Sequence, residues 1–330
     1  MRKVFSYIRL AEWYDSKVPF MLAAFMYFYY LDMEQYSGKM FLIKFIAYML
    51  YISMFLAFSY VINDFSDIEV DRKAGKYKII SELSRLTVIL SMVIMSGIGI
   101  IPLFFVINNK VGYLLLTAFI YLAGAAYSIP LFRFKEKGVV GLLECSIAQR
   151  CFPLLPLFFI VKVSMLFFMI FQIISFVNGI RYLLIHQNID YENDLKSGVV
   201  TLATTGKINY KRLIKLSMFI ETTLVLGLFV ELSQTSKFGI IMGLLYLIFE
   251  CIIGTVVVKY IKEDWLGSFI CVPYEDLYNI FIPVFLAILL TMKMPILVFV
   301  VIILLLIVAK SFKVKWSFIN IFLQIKLRRK

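Results

Sequence analysis

Histidine is nearly absent from this 330-residue chain. His186 stands alone, which excludes an intrachain bis-histidine haem and argues against a histidine-built metal centre. The four cysteines (Cys145, Cys151, Cys251 and Cys271) form no CxxC pair and sit in or beside apolar segments. Neither a disulfide framework nor a zinc site is expected from them. Any metal here would take oxygen ligands, as magnesium and calcium do. Charge is scarce too, at 17% of residues against about 25% in ordinary soluble domains. Hydrophobic residues make up 62%. With so little polar surface, the chain cannot be a soluble enzyme, a nucleic-acid binder or a secreted disulfide scaffold.

What the sequence does have is long apolar runs. They fall at 18–32, 40–62, 86–107, 111–128, 139–162, 164–186, 213–232, 238–260, 279–292 and 294–309. A helix of about 20 apolar residues crosses a hydrocarbon core of roughly 30 Å, so an all-α polytopic membrane protein is expected. No soluble domain or linker is visible, and residues 1–330 read as a single membrane domain. The first run follows a mixed-charge stretch (Arg2, Lys3, Arg9, Glu12, Asp15 and Lys17) with no small-residue cleavage site, and reads as a retained span.

The net charge of +13 fits basic loops beside an anionic leaflet. Both termini and the loops at 63–85, 129–138, 187–212 and 259–278 hold most of the lysines and arginines. The opposite loops carry only Lys39, Lys44, Lys110, Lys162, Lys237 and Lys293. The N-terminus and the acidic loops are therefore expected on the cytoplasmic side of the cell membrane. A basic tail ending at Lys330 also belongs inside, which makes ten spans, unless the two short final runs form one helix.

Two of the inner loops are crowded with acids. In the first, Asn63, Asp67 and Asp71 recur at i, i+4 and i+8, the spacing of one helix side, with Asp64 beside them. In the second, Asn178, Tyr182, His186, Asp190 and Asp194 recur every fourth residue. Asp67 and Asp190 are 123 residues apart, as are Asp71 and Asp194. Four spans lie between, so both pairs emerge on one membrane face, as parallel four-helix repeats would place them. Two carboxylate pairs beside Arg72, Lys78 and other bases suit Mg²⁺ and a polyanion. A third segment, YSIPLFRFKEKG at 127–138, adds Arg133, Lys135 and Lys137 on the same face.

Together these segments resemble the UbiA superfamily of intramembrane prenyltransferases. The NDxxDxxxD motif is intact as Asn63, Asp64, Asp67 and Asp71, followed by Arg72. Asp190 and Asp194 match DxxxD, with Gly198, Thr201 and Leu202 following, and Tyr127 opens the YSxP loop. Where many members have Arg-Pro after the first motif, this chain has Lys78 and Ile79.

The resemblance implies a bundle of nine helices, one fewer than the charge count, with a cavity capped on the cytoplasmic side. It implies Mg²⁺ on Asn63, Asp67, Asp71, Asp190 and Asp194, with the four aspartates catalytic. A prenyl diphosphate donor would meet Asn63, Asp64, Arg72, Lys78, Tyr127, Arg133, Lys135, Arg150, Tyr182 and His186. The isoprenyl group would pass to an acceptor, aromatic or otherwise lipid-pathway, with release of pyrophosphate. Membrane lipid is the surroundings, and no nucleic acid or obligatory protein partner is implied. A terpene cyclase on the same fold, or a cation-coupled transporter, is the alternative.

Arg150 lies about eleven residues into the fifth run. A charge there is expected to face the bundle interior, either on substrate or paired with an acid such as Glu144 or Glu221.

Overall fold

The computed structural model describes residues 2–32, 37–73, 75, 77–129, 131–134, 137–189, 191, 195, 204, 210–248 and 277–309. Among them there is no β-strand. Five helical segments are long and apolar enough to cross a membrane: Gly38–Ser66, Arg85–Val106, Val139–Ile160, Met165–Ile185 and Arg212–Gln234. Five shorter apolar helices accompany them, at Val18–Leu31, Lys110–Ala126, Phe238–Ile248, Leu277–Lys293 and Pro295–Ala309. The two final apolar runs are separate helices. The chain leaves helical geometry at Met294 (φ −135°, ψ 93°), and Pro295 starts the next turn.

A short helix α1 (Arg2–Tyr7) and a 3₁₀ turn (Leu10–Glu12) precede α2 (Val18–Leu31). In α2 every residue from Val18 to Tyr30 is buried. A helix apolar all round belongs at a bundle centre, and α2 packs on both α3 (Gly38–Ser66) and the helix Ile282–Lys293. Its aromatic rings interlock with neighbours, Phe25 against Phe41 (5.2 Å) and Phe20 edge-on to Tyr278 (5.0 Å). By contrast α5 (Arg85–Val106) leaves Leu86, Leu90, Val93, Ile101 and Phe105 exposed, the face a lipid-contacting helix presents.

The N-caps are readable in sequence. Ser37, Ser84 and Asn109 each accept a backbone N–H three residues on, opening α3, α5 and α6 (Lys110–Ala126). At 29 residues, α3 is about 43 Å long and overruns the hydrocarbon core, so its acidic end projects past the apolar layer. It ends at Asp67 (φ −100°, ψ 1°), and a six-residue helix, α4 (Ile68–Lys73), follows. The expected single helix carrying Asn63, Asp67 and Asp71 is thus broken at its middle member.

Close helix approaches use small residues, because no hydrophobic effect drives helices together in lipid. A four-residue helix, α8 (Leu157–Ile160), precedes α9 (Met165–Ile189). At Gly179 of α9, an added Cβ would lie 2.9 Å from Ser146 Cβ and 3.1 Å from Ser146 Cα. Ser146 ends α7 (Val139–Ser146), and the atoms approached are its Cβ and backbone Cα, not the far end of a flexible side chain. Gly179→Ala is therefore expected to cost about 1–3 kcal/mol through overpacking. A lower thermal unfolding midpoint in detergent would be the readout; an unchanged midpoint would mean that the two helices separate freely.

Candidate functional site

The first acidic motif divides between two concavities. Asn63 and Asp67 line a cavity of about 950 Å³, together with Arg9, Glu12, Lys17, Tyr60, Tyr127, Cys145, Gln149, Arg150 and Tyr182. Asp64 and Asp71 line an adjoining cleft of about 310 Å³ with Arg72, Tyr77 and Lys78. The division follows helical spacing: Asn63 and Asp67 are four residues apart on one side, Asp64 and Asp71 seven apart on the next.

Each acid meets a cation. Lys78 Nζ bridges Asp64 (2.7 Å) and Asp71 (2.6 Å). Burial works to lower the Lys78 ammonium, but the two carboxylates outweigh it and hold it above its ordinary value. Arg9 Nη1 lies 3.2 Å from Asp64, and its Nε donates to Glu12 at 2.6 Å. Arg133 Nη2 lies 3.6 Å from Asp67 Oδ1. Among the described residues, the non-glycine residues with positive φ are Arg9 (49°) and Arg133 (41°). Strained backbone of this kind collects at functional sites, and here both instances serve the same acidic motif.

From the 127–138 segment, Ser128 and Arg133 meet that motif. Ser128 Oγ donates to Asn63 Oδ1 at 2.9 Å, one residue from Tyr127. Lys135 lies outside the described residues, as do Asp190, Asp194 and the side chain of His186. Helix α9 ends at Ile189, which puts the second acidic pair directly after it in sequence. Tyr182 lines the large cavity, whereas Asn178 is buried and does not.

Sequence spacing gave no sign of the cavity's far side. Residues 9–17 form part of its wall, pinned by buried Trp13, whose Nε1 donates to the Ile8 carbonyl (2.8 Å). Lys17 is 2% exposed; its Nζ donates to Tyr60 OH (3.1 Å) and to Gln149 Oε1. Burial, reinforced by the neighbouring Arg150, lowers the Lys17 ammonium to about 7. A tryptophan inside a short charged stretch beside a wholly apolar helix was the available signal for this wall.

Gln149 and Arg150 belong to a π-helical turn, Ile147–Cys151, a local widening that is frequent at functional sites. Arg150 donates Nη1 to the Ser16 carbonyl (3.0 Å) and lies over the Tyr182 ring at 5.4 Å. Neither of the acids expected for it is its partner. Glu221 binds Arg181 instead, at 2.9 and 3.2 Å, and Arg150 makes no ion pair among the described residues.

The donor set suits a hard divalent cation. Asn63 and Asp67 offer amide and carboxylate oxygens at the cavity wall. A single ammonium already bridges Asp64 and Asp71, so those acids stand close enough to share a cation. Among the described residues no three His, Cys, Asp or Glu side chains group to hold a metal by themselves. Phosphate oxygens or residues beyond these must complete any such site.

The structure is similar to that of a UbiA homolog from Archaeoglobus fulgidus bound to GPP and Mg²⁺ (TM-score 0.53, 18% identity, 85% of this chain and 98% of the other). The same homolog bound to Cd²⁺ gives a TM-score of 0.55 at 17% identity, with 85% and 97% coverage. Bound to DMAPP and Mg²⁺ it gives 0.54 at 18%, again with 85% and 97% coverage. At these identities the likeness establishes the fold. No curated protein matches the sequence significantly. The sequence profile of the UbiA prenyltransferase family, however, matches residues 18–270, from the central helix through both acidic motifs, and the chain belongs to that family.

Proposed function

We propose that this protein transfers an isoprenyl group from an allylic diphosphate to a lipid-pathway acceptor, with release of pyrophosphate, in a Mg²⁺-dependent reaction. The observation that carries this reading is the large cavity itself. Asn63 and Asp67 on its wall face a chamber that also presents Arg9, Lys17, Arg150 and the rings of Tyr60, Tyr127 and Tyr182. A diphosphate would sit at the acidic motif, with its isoprenyl tail among apolar and aromatic side chains.

Asn63, Asp67 and Asp71, with Asp190 and Asp194, would hold the metal, which when bound neutralises charge on the departing diphosphate. Arg133, fixed beside Asp67, and Lys78 beside Asp71 supply cations to the phosphate oxygens. Heterolysis of the allylic C–O bond sends its electron pair to pyrophosphate. The faces of Tyr127 and Tyr182 can stabilise the allylic cation that remains. The acceptor then forms its bond to that carbon and gives up a proton. The basic loops favour the cytoplasmic face for this chemistry, with the N-terminus on the same side.

The test uses the purified full-length protein in lipid nanodiscs, with geranyl diphosphate, Mg²⁺ and a lipid extract as acceptor source. Pyrophosphate release and a mass increment of one geranyl unit on an acceptor are expected, both lost on chelation. Release that persists without divalent metal, or no release from any allylic diphosphate of five to twenty carbons, would overturn the reading. A cyclic terpene formed without acceptor would point to the cyclase alternative.

A further inference from the structure

An exposed apolar tip stands just ahead of each arginine with positive φ. Before Arg9, helix α1 leaves Val4 58% and Phe5 49% exposed, while Tyr7 and Ile8 pack inward. Before Arg133, Leu131 is 80% and Phe132 46% exposed, and the Phe132 ring stacks on Phe134 at 5.9 Å. Neither tip belongs to one of the apolar helices of membrane-crossing character.

The contacts of α1 fix its depth. It packs on the 3₁₀ turn Ile79–Glu82, which leads into α5, and Tyr7 OH lies 2.5 Å from Ser91 Oγ. Ser91 is six residues beyond Arg85, about 9 Å along α5. At that level Leu86, Leu90 and Val93 are exposed as lipid-facing residues are. Helix α1 therefore lies across the end of a lipid-facing helix, where headgroups meet tails. The second tip leads into exposed Val139 and Val140 at the start of α7. Bases flank both tips in the sequence, Arg2 and Lys3 before Val4, and Arg133, Lys135 and Lys137 after Phe132. Apolar residues set among bases are attracted to an anionic lipid surface.

We infer that Val4–Phe5 and Leu131–Phe132 dock into the anionic headgroup layer of the leaflet on the motif side, and that this docking holds Arg9 and Arg133 against the acidic motif. A non-glycine residue in the left-handed region persists where its surroundings over-determine it. Asp64 and Glu12 hold Arg9 from one side, and Asp67 holds Arg133. An anchored tip beside each arginine supplies the second constraint. The effect on donor affinity rests on the prenyl-transfer reading, whereas the docking itself does not.

The experiment uses the full-length protein in nanodiscs, with tryptophan replacing Phe5 in one variant and Leu131 in another. In phosphatidylcholine containing about 30% phosphatidylglycerol, lipids brominated near the glycerol end of their chains should quench the added emission, and aqueous iodide should not. Calorimetric titration with Mg²⁺ and the unreactive donor analogue geranyl S-thiolodiphosphate reads the coupling. In the anionic nanodiscs Phe5→Asp and Leu131→Asp should each bind the analogue about threefold or more weakly than the parent. In pure phosphatidylcholine that deficit should fall below about twofold, because the anionic surface both draws the flanking bases and repels the new carboxylate. The surface potential acts on parent and variant alike, so their ratio isolates the tips. In turnover both variants should raise KM for the donor and leave kcat near the parent's, a split that partial unfolding does not produce. Should an aspartate variant fail to fold, Phe5→Ser or Leu131→Ser is read in its place.

Iodide quenching without lipid quenching at either position overturns the inference. So does an unchanged donor affinity in both substituted proteins, or a deficit equally large in phosphatidylcholine. Failure of the parent to bind the analogue in any lipid strikes the prenyl-transfer reading instead, and the quenching result then decides the docking by itself.

Discussion

Asp67→Asn is expected to lower kcat/KM for prenyl transfer by about 10²–10³-fold while leaving the protein folded. Asparagine has nearly the volume of aspartate and keeps one oxygen, so the cavity wall is preserved and only the charge is lost. Asp67 is the motif's carboxylate in the large cavity, paired at the long distance of 3.6 Å with Arg133. Asp71→Asn should have an effect of similar size if Asp71 exchanges Lys78 for metal when donor binds. The double variant should then cost little more than the worse single one, because groups that act as a unit are non-additive. Steady-state pyrophosphate release at several Mg²⁺ concentrations measures all three. Multiplying losses would mean that Asp67 and Asp71 act separately, with Asp71 as a structural anchor for Lys78. Near-parental activity of Asp67→Asn would remove it from the chemistry.

That contrast between Asp67 and Asp71 was only half legible in the sequence. Composition and the apolar runs were enough for an all-helical membrane protein, because bilayer thickness dictates run length. The caps at Ser37, Ser84 and Asn109 are local and equally readable. The motifs pointed to Asn63, Asp67, Tyr127, Arg133 and Tyr182, and a charge inside the fifth apolar run pointed to Arg150; the structure brings these to one cavity or, for Arg133, onto Asp67. The i, i+4, i+8 spacing misled in one respect, since it presumed a helix unbroken at Asp67. Periodicity alone does not report a single residue, here Asp67, whose dihedrals leave the helical range.

The contacts that sequence did not yield are long-range. Lys17 meets Gln149 across 132 positions, and Arg150 meets Ser16 across 134. No local pattern encodes such a pairing. In the absence of that information, charge alone offers Arg150 a substrate or an acid such as Glu144 or Glu221. The actual solution is a backbone carbonyl, which any residue type could have offered, and an aromatic face, which any of the chain's many rings could have. Arg181 escaped notice altogether: it falls between Asn178 and Tyr182 in sequence but is not among the residues that line the cavity.

That residue supplies the largest expected effect on stability. Arg181 and Glu221 are each 0% exposed and joined by two hydrogen bonds, Nε to Oε1 at 2.9 Å and Nη2 to Oε2 at 3.2 Å. The pair ties α9 to Tyr210–Thr235, two helices with extensive mutual packing. Glu221→Leu would take away the carboxylate that neutralises the buried guanidinium in the bundle interior. Removing one member of a buried pair costs about 3–5 kcal/mol, whereas replacing both with apolar residues of similar size is often close to neutral. Glu221→Leu should therefore unfold at clearly lower temperature in detergent, and adding Arg181→Met should restore most of the loss. Arg181 does not line the large cavity, so turnover per folded molecule should stay near the parent's in the rescued double variant. If the double variant is as unstable as the single one, the pair contributes through specific geometry rather than by mutual neutralisation. If the double variant is stable but inactive, Arg181 acts on the cavity through its helix neighbour Tyr182, and its role is positioning rather than structural.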